Sequence, residues 1–152
     1  MTTTITPFLW FDNDAEEAFA FYATLFPETR LVDGSRGPDG AFFFGTFELL
    51  GKRVMAMNAG PVFPHTEAFS FFTMVDDQSE VDRLWDALTA DGGEESQCGW
   101  LKDRFGVSWQ IVPEALMRLQ QGPDAAAAQR VTQAMLGMRK IIVADLEAAY
   151  AG

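Results

Sequence analysis

Ile5-Thr6-Pro7-Phe8-Leu9-Trp10-Phe11 is an almost wholly apolar run that breaks at Asp12-Asn13-Asp14-Ala15-Glu16. A short apolar run bounded by turn residues fits a buried strand. The break supplies turn and N-cap chemistry, so a helix is expected over 15–26. There Ala18, Phe19, Tyr22, Leu25 and Phe26 recur at three- and four-residue spacing, and Pro27 stops the pattern. Glu16 and Glu17 fall in the first turn, where the helix dipole favours negative charge. Three further strand-like pieces follow, over 29–33, 41–50 and 52–58. Residues 33–40 join the first two, and Gly51 breaks the chain before the third.

After a link containing Gly60, Pro61 and Pro64, the same order restarts. The stretch 68–75 reads as a strand ending at Asp76-Asp77, and 79–90 as a helix with Val81, Leu84, Trp85 and Leu88 on one face. Ser79 with Asp82 three positions on resembles a capping box with Asp in place of the usual Glu or Gln. Gly92-Gly93 ends that helix, and 95–98, 100–104 and 107–112 are strand candidates. Phe11-Asp12-Asn13-Asp14-Ala15-Glu16 aligns with Val75-Asp76-Asp77-Gln78-Ser79-Glu80, and Gly51 with Gly106. Identity between the halves is slight, and the repeated order of elements carries the argument. The expected layout is one domain over 1–152, with modules at 5–58 and 68–113, a link at 59–67 and a helical tail at 124–150. The tail either packs on its own domain, the ordinary use of an amphipathic helix, or forms a subunit contact.

The chain has 152 residues, of which 48% are hydrophobic and 22% charged, which excludes a disordered chain. No apolar run is long enough for a transmembrane helix. The N-terminus lacks the basic and apolar regions of a secretory signal, so a cytoplasmic location is expected. The 11 Lys and Arg stand against 22 Asp and Glu, a net charge of −11, which disfavours nucleic acid and anionic membranes as partners. Cys98 and His65 are the only residues of their types. Those counts remove an internal disulfide, a multi-histidine metal site within one chain and most zinc sites.

The paired strand-helix-strand-strand-strand order resembles the vicinal oxygen chelate superfamily, and within it the PhnB-like group often labelled demethylubiquinone methyltransferase. The resemblance rests on residues 5–11, on Glu16-Glu17-Ala18 with Phe21-Tyr22, on 54–61, and above all on Cys98-Gly99-Trp100-Leu101-Lys102-Asp103-Arg104-Phe105-Gly106-Val107-Ser108-Trp109-Gln110-Ile111-Val112-Pro113. It implies an α+β fold of two βαβββ modules forming a half-barrel cavity, plus a C-terminal helix, and a homodimer. It also implies four inward slots that hold metal ligands in the enzymes, falling by register near Thr6, Met55, Ser70 and Gln110. Two hydroxyls and a thioether are poor or weak ligands, so only Gln110 is a type those enzymes use. No metal and no cofactor are therefore expected.

A methyltransferase needs a glycine-rich turn between a strand and a helix. The only candidate, Gly34-x-x-Gly37-x-x-Gly40, joins two strands and contains Pro38, so a methyltransferase is not expected. The expected ligand-binding residues are Trp10, Met55, Ser70, Phe72, Ser108 and Gln110. Phe8, Phe42, Phe44, Met57 and Met74 are further candidates for lining the cavity. Ser108 and Gln110 share one strand face, and Trp109 takes the other, under a helix. Gln110 either orients a ligand or bonds its neighbours across the sheet.

His65 reads as a solvated loop histidine, with a general base as the alternative. Cys98 reads as a small buried hydrophobe, with a thiolate as the alternative. Lys102, Asp103 and Arg104 read as a solvated turn, or as a clamp for an anion. Two functions fit: metal-free binding of a small aromatic or amphipathic molecule, or a metal-dependent lyase, isomerase or dioxygenase-type enzyme on a small oxygenated substrate. A third use is an interaction domain whose cavity its own side chains fill.

Overall fold

Alternate residues of a strand face opposite sides, and in this chain one set of alternates is buried beneath the helices. A computed structural model describes residues 1–152, and they fall into two units, Met1–His65 and Thr66–Gly152. The first unit runs β1 (Phe8–Phe11), α1 (Ala15–Leu25), β2 (Arg30–Arg36), β3 (Phe42–Leu49) and β4 (Lys52–Asn58), with sheet order β1-β4-β3-β2. β1 is parallel to β4 and the other pairs are antiparallel. The second runs β5 (Ser70–Val75), α2 (Gln78–Thr89), β6 (Glu94–Glu95), β7 (Trp100–Lys102) and β8 (Ser108–Pro113), ordered β5-β8-β7-β6. β5 is parallel to β8, and β8 is antiparallel to β7. Two βαβββ units of one topology make the α+β fold the sequence predicts.

In the first unit Leu9, Phe11, Phe47, Val54 and Ala56 are buried on the helix side of the sheet, together with Ala18, Phe19 and Tyr22 of α1. Phe19 stacks on Phe47 at 4.0 Å. β1 is shorter than expected and starts after Pro7, which lacks an N–H but whose carbonyl still accepts the Met55 N–H at 2.8 Å. β3 and β4 meet at Leu50-Gly51, both at positive φ (49° and 72°), as a two-residue type I′ hairpin needs. Between Ser35 and Arg36 the β2–β3 register slips by one, leaving Phe43 unpaired. That bulge turns Phe42 onto the helix side, where it is buried against Phe47, so Phe42 is core and not cavity lining.

The α1 cap differs from expectation. Asp14 occupies the N-cap position but its side chain makes no capping bond, and Asn58 Oδ1 accepts the Ala15 N–H instead, at 2.9 Å. The Asn58 amide also donates to the Phe42 carbonyl, so one side chain ties α1, β3 and β4 together. In α2 the cap is Asp77, which accepts from the Glu80 N–H at 3.1 Å and from the Ser79 hydroxyl at 2.7 Å. The Ser79–Asp82 box does not form. Asp82 instead accepts from Gln78 and pairs with Lys140.

The second unit buries Val81, Leu84, Trp85 and Leu88 of α2 with Leu101, Trp109 and Ile111 of the sheet. The C-terminal region is three helices: α3 (Glu114–Gln120), α4 (Ala125–Leu136) and α5 (Val143–Ala151). α3 follows Pro113 directly and was not legible as a helix. The three pack on their own unit through Val112, Leu116, Leu119, Val131, Ile141 and Leu146. Burying each such side chain contributes about 1.5–3 kcal/mol. The segment between α4 and α5 is held by main-chain bonds: Cys98 N–H to Met138 O, Gly99 N–H to Arg139 O, and the Gln78 amide to Ile141 O and Val143 N–H.

Candidate functional site

The strand residues that do not face the helices form one open face per unit. In the first unit this face carries two cross-strand rows. Phe8, Met55 and Thr46 are register partners, and so are Trp10, Met57 and Phe44. Phe8 is 50% exposed and Phe44 39%, unusual for side chains of that size on a regular sheet. Trp10 is fixed by its indole N–H, which donates to the Gly60 carbonyl at 2.8 Å, and by an edge-to-face contact with Phe63. A cavity of about 210 Å³ beside α1 and β2 lies on the other side of this sheet, lined by Phe19, Ala20, Ala23 and Leu31.

In the second unit the face has a polar row and an aromatic one. Ser70, Ser108, Lys102 and Glu94 are successive partners across β5, β8, β7 and β6. Two residues further along, Phe72, Gln110 and Trp100 are partners across β5, β8 and β7. Phe72 is 51% exposed. The Gln110 amide donates to Ser70 Oγ at 3.0 Å, linking the two rows diagonally. Gln110 therefore does bond across the sheet, and its amide oxygen remains the atom that can receive a ligand donor. Ser108 is buried, and its hydroxyl has no hydrogen-bond partner within the protein.

Of the six expected binding residues, Ser70, Phe72, Ser108 and Gln110 are thus adjacent on the second unit's face. Trp10 and Met55 share the first unit's face. Trp100, Lys102 and Glu94 belong to the second face; of these the sequence singles out only Lys102, as part of the alternative clamp for an anion. Their membership depends on strand pairing, and β6 is only two residues long, too short for any periodicity to mark.

Lys102, Asp103 and Arg104 form neither a solvated turn nor an anion clamp. Asp103 is 2% exposed. One of its oxygens accepts from the Phe105 and Val107 N–H groups, and the other from the Trp109 indole at 2.9 Å. It therefore shapes the β7–β8 turn and locks Trp109 on the helix side. Lys102 pairs with Glu67 at 2.9 Å, while Arg104 lies over the Phe105 ring and 3.8 Å from Asp91.

His65 is half-buried with its ring edge against Phe11, 4.7 Å between centroids, and not a solvated loop residue. It helps hold the nearby Asp14 carboxyl down, but burial outweighs it and the Asp14 pKa is raised. Cys98 is half-buried, adopts φ 58°, and places Sγ 3.8 Å from the Leu136 carbonyl.

Two βαβββ units of this topology define the class as the vicinal oxygen chelate fold. The family described as 3-demethylubiquinone-9 3-methyltransferase matches residues 3–112, and the chain belongs to that PhnB-like family. It is similar to the PhnB protein of Bacillus cereus, which carries the same methyltransferase description: 30% identity over 73% of this chain and 99% of that one, TM-score 0.67. A Pseudomonas aeruginosa protein is 23% identical over 74% of this chain and 98% of its own, TM-score 0.59. The fosfomycin resistance protein FosX of Listeria monocytogenes, in a complex with Mn(II) and sulfate, is 16% identical over 73% and 92%, TM-score 0.53. These last two likenesses show the fold alone. No curated protein matches the chain. Residues 113–152, with α3, α4 and α5, lie beyond the family match.

The residues at the four metal-ligand slots do not fit a resident divalent ion. Thr6 precedes β1, Met55 offers a thioether, and Ser70 and Gln110 are bonded to each other. No three His, Cys, Asp or Glu side chains converge anywhere as a metal-binding group. The glycines expected to rule out a nucleotide-type turn lie in a hairpin. Gly34 is inside β2, and Gly37 and Gly40 are bonded within the β2–β3 connection. No helix is long and apolar enough to cross a membrane.

Proposed function

We propose that this protein binds a small aromatic or amphipathic molecule without a metal, on the face built from Ser70, Phe72, Trp100, Ser108 and Gln110. The observation that carries the reading is the half-exposed Phe72 beside Gln110 and Trp100, next to a polar row that includes a buried, unpaired hydroxyl. Exposed apolar side chains with a few fixed polar groups are the usual makeup of a small-molecule site. Phe72 and Trp100 supply apolar area, and the Gln110 carbonyl oxygen takes one donor from the ligand. Trp10, Met55 and Phe8 hold the corresponding apolar positions on the first unit's own face.

Binding alone accounts for these residues, because the face carries no nucleophile paired with a base. Methyl transfer finds no support in the glycine pattern, although the family carries that description. A homodimer acting in the cytoplasm belongs to the same proposal and rests on the family resemblance. The net charge of −11 argues against nucleic acid or an anionic membrane as partner.

Two measurements test the reading on tag-free protein purified without chelator. Elemental mass spectrometry is expected to find metal at background level, and one equivalent per chain would overturn the metal-free reading. A screen of small aromatic molecules by backbone and indole NMR is expected to move Phe72, Trp100 and Gln110 together. Shifts confined to other surfaces would move the site elsewhere.

A further inference from the structure

The polar row of the second unit ends in a cavity of about 90 Å³ lined by Glu67, Glu94, Ser96, Trp100, Lys102 and Ser108. A water molecule in the liquid takes about 30 Å³, so this space suits a group of a few heavy atoms. Ser108 borders the cavity, is 1% exposed, and carries a hydroxyl with no hydrogen-bond partner within the protein. A buried hydroxyl left unpaired is costly, so a group that bonds to it is favoured.

Charge decides what that group is. Glu67 and Glu94 face the single cation Lys102, which is already paired with Glu67 at 2.9 Å. The Glu94 carboxylate makes no hydrogen bond or ion pair, although its charge also helps keep Lys102 protonated. Glu95 also borders the cavity but directs its carboxylate away, to the Trp85 indole at 2.7 Å and towards Arg139. With Lys102 set against Glu67 and Glu94, and Glu95 directed to Arg139, these side chains carry one net negative charge beside an unsatisfied hydroxyl oxygen. An anion would meet two carboxylates there. A primary ammonium would donate to Ser108 Oγ and to the Glu94 carboxylate, both of which accept.

The aromatic row lies two residues along the same strands, a spacing of about 6–7 Å. Trp100 belongs to both places: it lines the cavity and is the register partner of Gln110, itself opposite Phe72. A ring resting on Phe72 and Trp100 thus lies within a two-carbon tether of the cavity. We propose that the ligand is an arylalkyl primary amine whose protonated nitrogen enters the cavity between Glu94 and Ser108, while its ring occupies the aromatic row. This deepens the function proposed above and rests on it for the seat of the ring.

Four probes separate the two ideas: phenethylammonium, phenethyl alcohol, 3-phenylpropionate and propylammonium, each titrated by NMR against the full chain and against Glu94→Gln and Ser108→Ala. Phenethylammonium is expected to bind about tenfold tighter than phenethyl alcohol, as a charge-assisted bond to a carboxylate implies, and 3-phenylpropionate weakest. In both variants the amine-to-alcohol ratio is expected to fall towards one. Both substitutions conserve shape, and thermal melting checks that each variant folds. Equal affinity for amine and alcohol at Phe72 and Trp100 would overturn the amine inference and leave the aromatic face standing. Propylammonium shifting Ser108 and Glu94 while the alcohol fails to bind would support the cation cavity and overturn the aromatic seat. No response to any probe at millimolar concentration would overturn both.

Discussion

The two units share strand order, strand direction and even the glycine that closes their last hairpin, yet their open faces differ in kind. The first presents Phe8, Trp10, Phe44, Met55 and Met57 with one inward hydroxyl, Thr46. The second presents Phe72 and Trp100 behind a row of serine, serine, lysine and glutamate. The helix-facing alternates are mostly buried and apolar in both units, because they cover α1 or α2. The other alternates carry no such demand and have diverged. The helix-facing set of each sheet is held by packing, and the other set is free to differ.

The sharpest break between the units concerns one acidic residue in each last hairpin. Both lie three residues before the hairpin glycine, Gly51 or Gly106, but by strand register Glu48 matches Lys102, and Asp103 falls one residue further into its longer turn. Asp103 is buried and accepts three hydrogen bonds, whereas Glu48 makes a surface pair with Arg30 at 2.8 Å. Asp103→Ala leaves two backbone N–H groups and the Trp109 indole without their acceptor, and is expected to cost about 3–5 kcal/mol in urea unfolding. Glu48→Ala is expected to cost less than about 1 kcal/mol in the same experiment. Similar losses at both sites would mean that the two hairpins do not differ in how they use these carboxylates.

A smaller effect separates the faces. Phe72→Ala is expected to weaken binding of an aromatic probe about tenfold, and Phe8→Ala, its counterpart in the first unit, by less. The reverse order, read by titration, would move the ring to the first unit.

The smallest effect distinguishes the helix caps by pH. Burial raises the Asp14 pKa above its ordinary 3.8, whereas hydrogen bonds from Ser79 and the Glu80 N–H hold Asp77 below that value. A raised carboxyl favours the folded state when protonated, so Asp14 disfavours folding as the pH climbs through its raised pKa. A depressed one contributes stability above 3.8 that is lost as the pH falls through its lowered pKa. Acidification is therefore expected to loosen the first turn of α2 and not that of α1, as read by amide hydrogen exchange. At neutral pH, Asp14→Asn should raise the melting temperature and Asp77→Asn should lower it. A common direction would contradict the assignment.

The repeat was legible because it rests on local signals: apolar alternation in strands, three- and four-residue spacing in helices, and the turn residues between them. The Lys52–Asn58 strand needed nothing else. Features that depend on pairing were not legible. The bulge at Phe43 sends Phe42 into the core through a one-residue slip between strands. Asp103 lies in a charged triplet that reads as solvated until its three donors are in place. Asn58 caps a helix distant in sequence, a contact no capping pattern contains. The face of Ser70, Phe72, Ser108 and Gln110 followed from strand parity, but Glu94, Lys102 and Trp100 join it only through register.

The segment between α4 and α5 is gripped along its main chain, with the buried Ile141 side chain seated in the core. Cys98 and Gly99 donate to two successive carbonyls, and the Gln78 amide reaches a carbonyl and an N–H two residues apart. Gly99 is the tight point, since a Cβ there would come within 3.1 Å of Ile141. A grip of this kind is indifferent to most side chains and sensitive to spacing. A substitution that spares Met138 and Ile141 leaves these main-chain bonds in place, whereas a single insertion would throw every donor out of step with its acceptor.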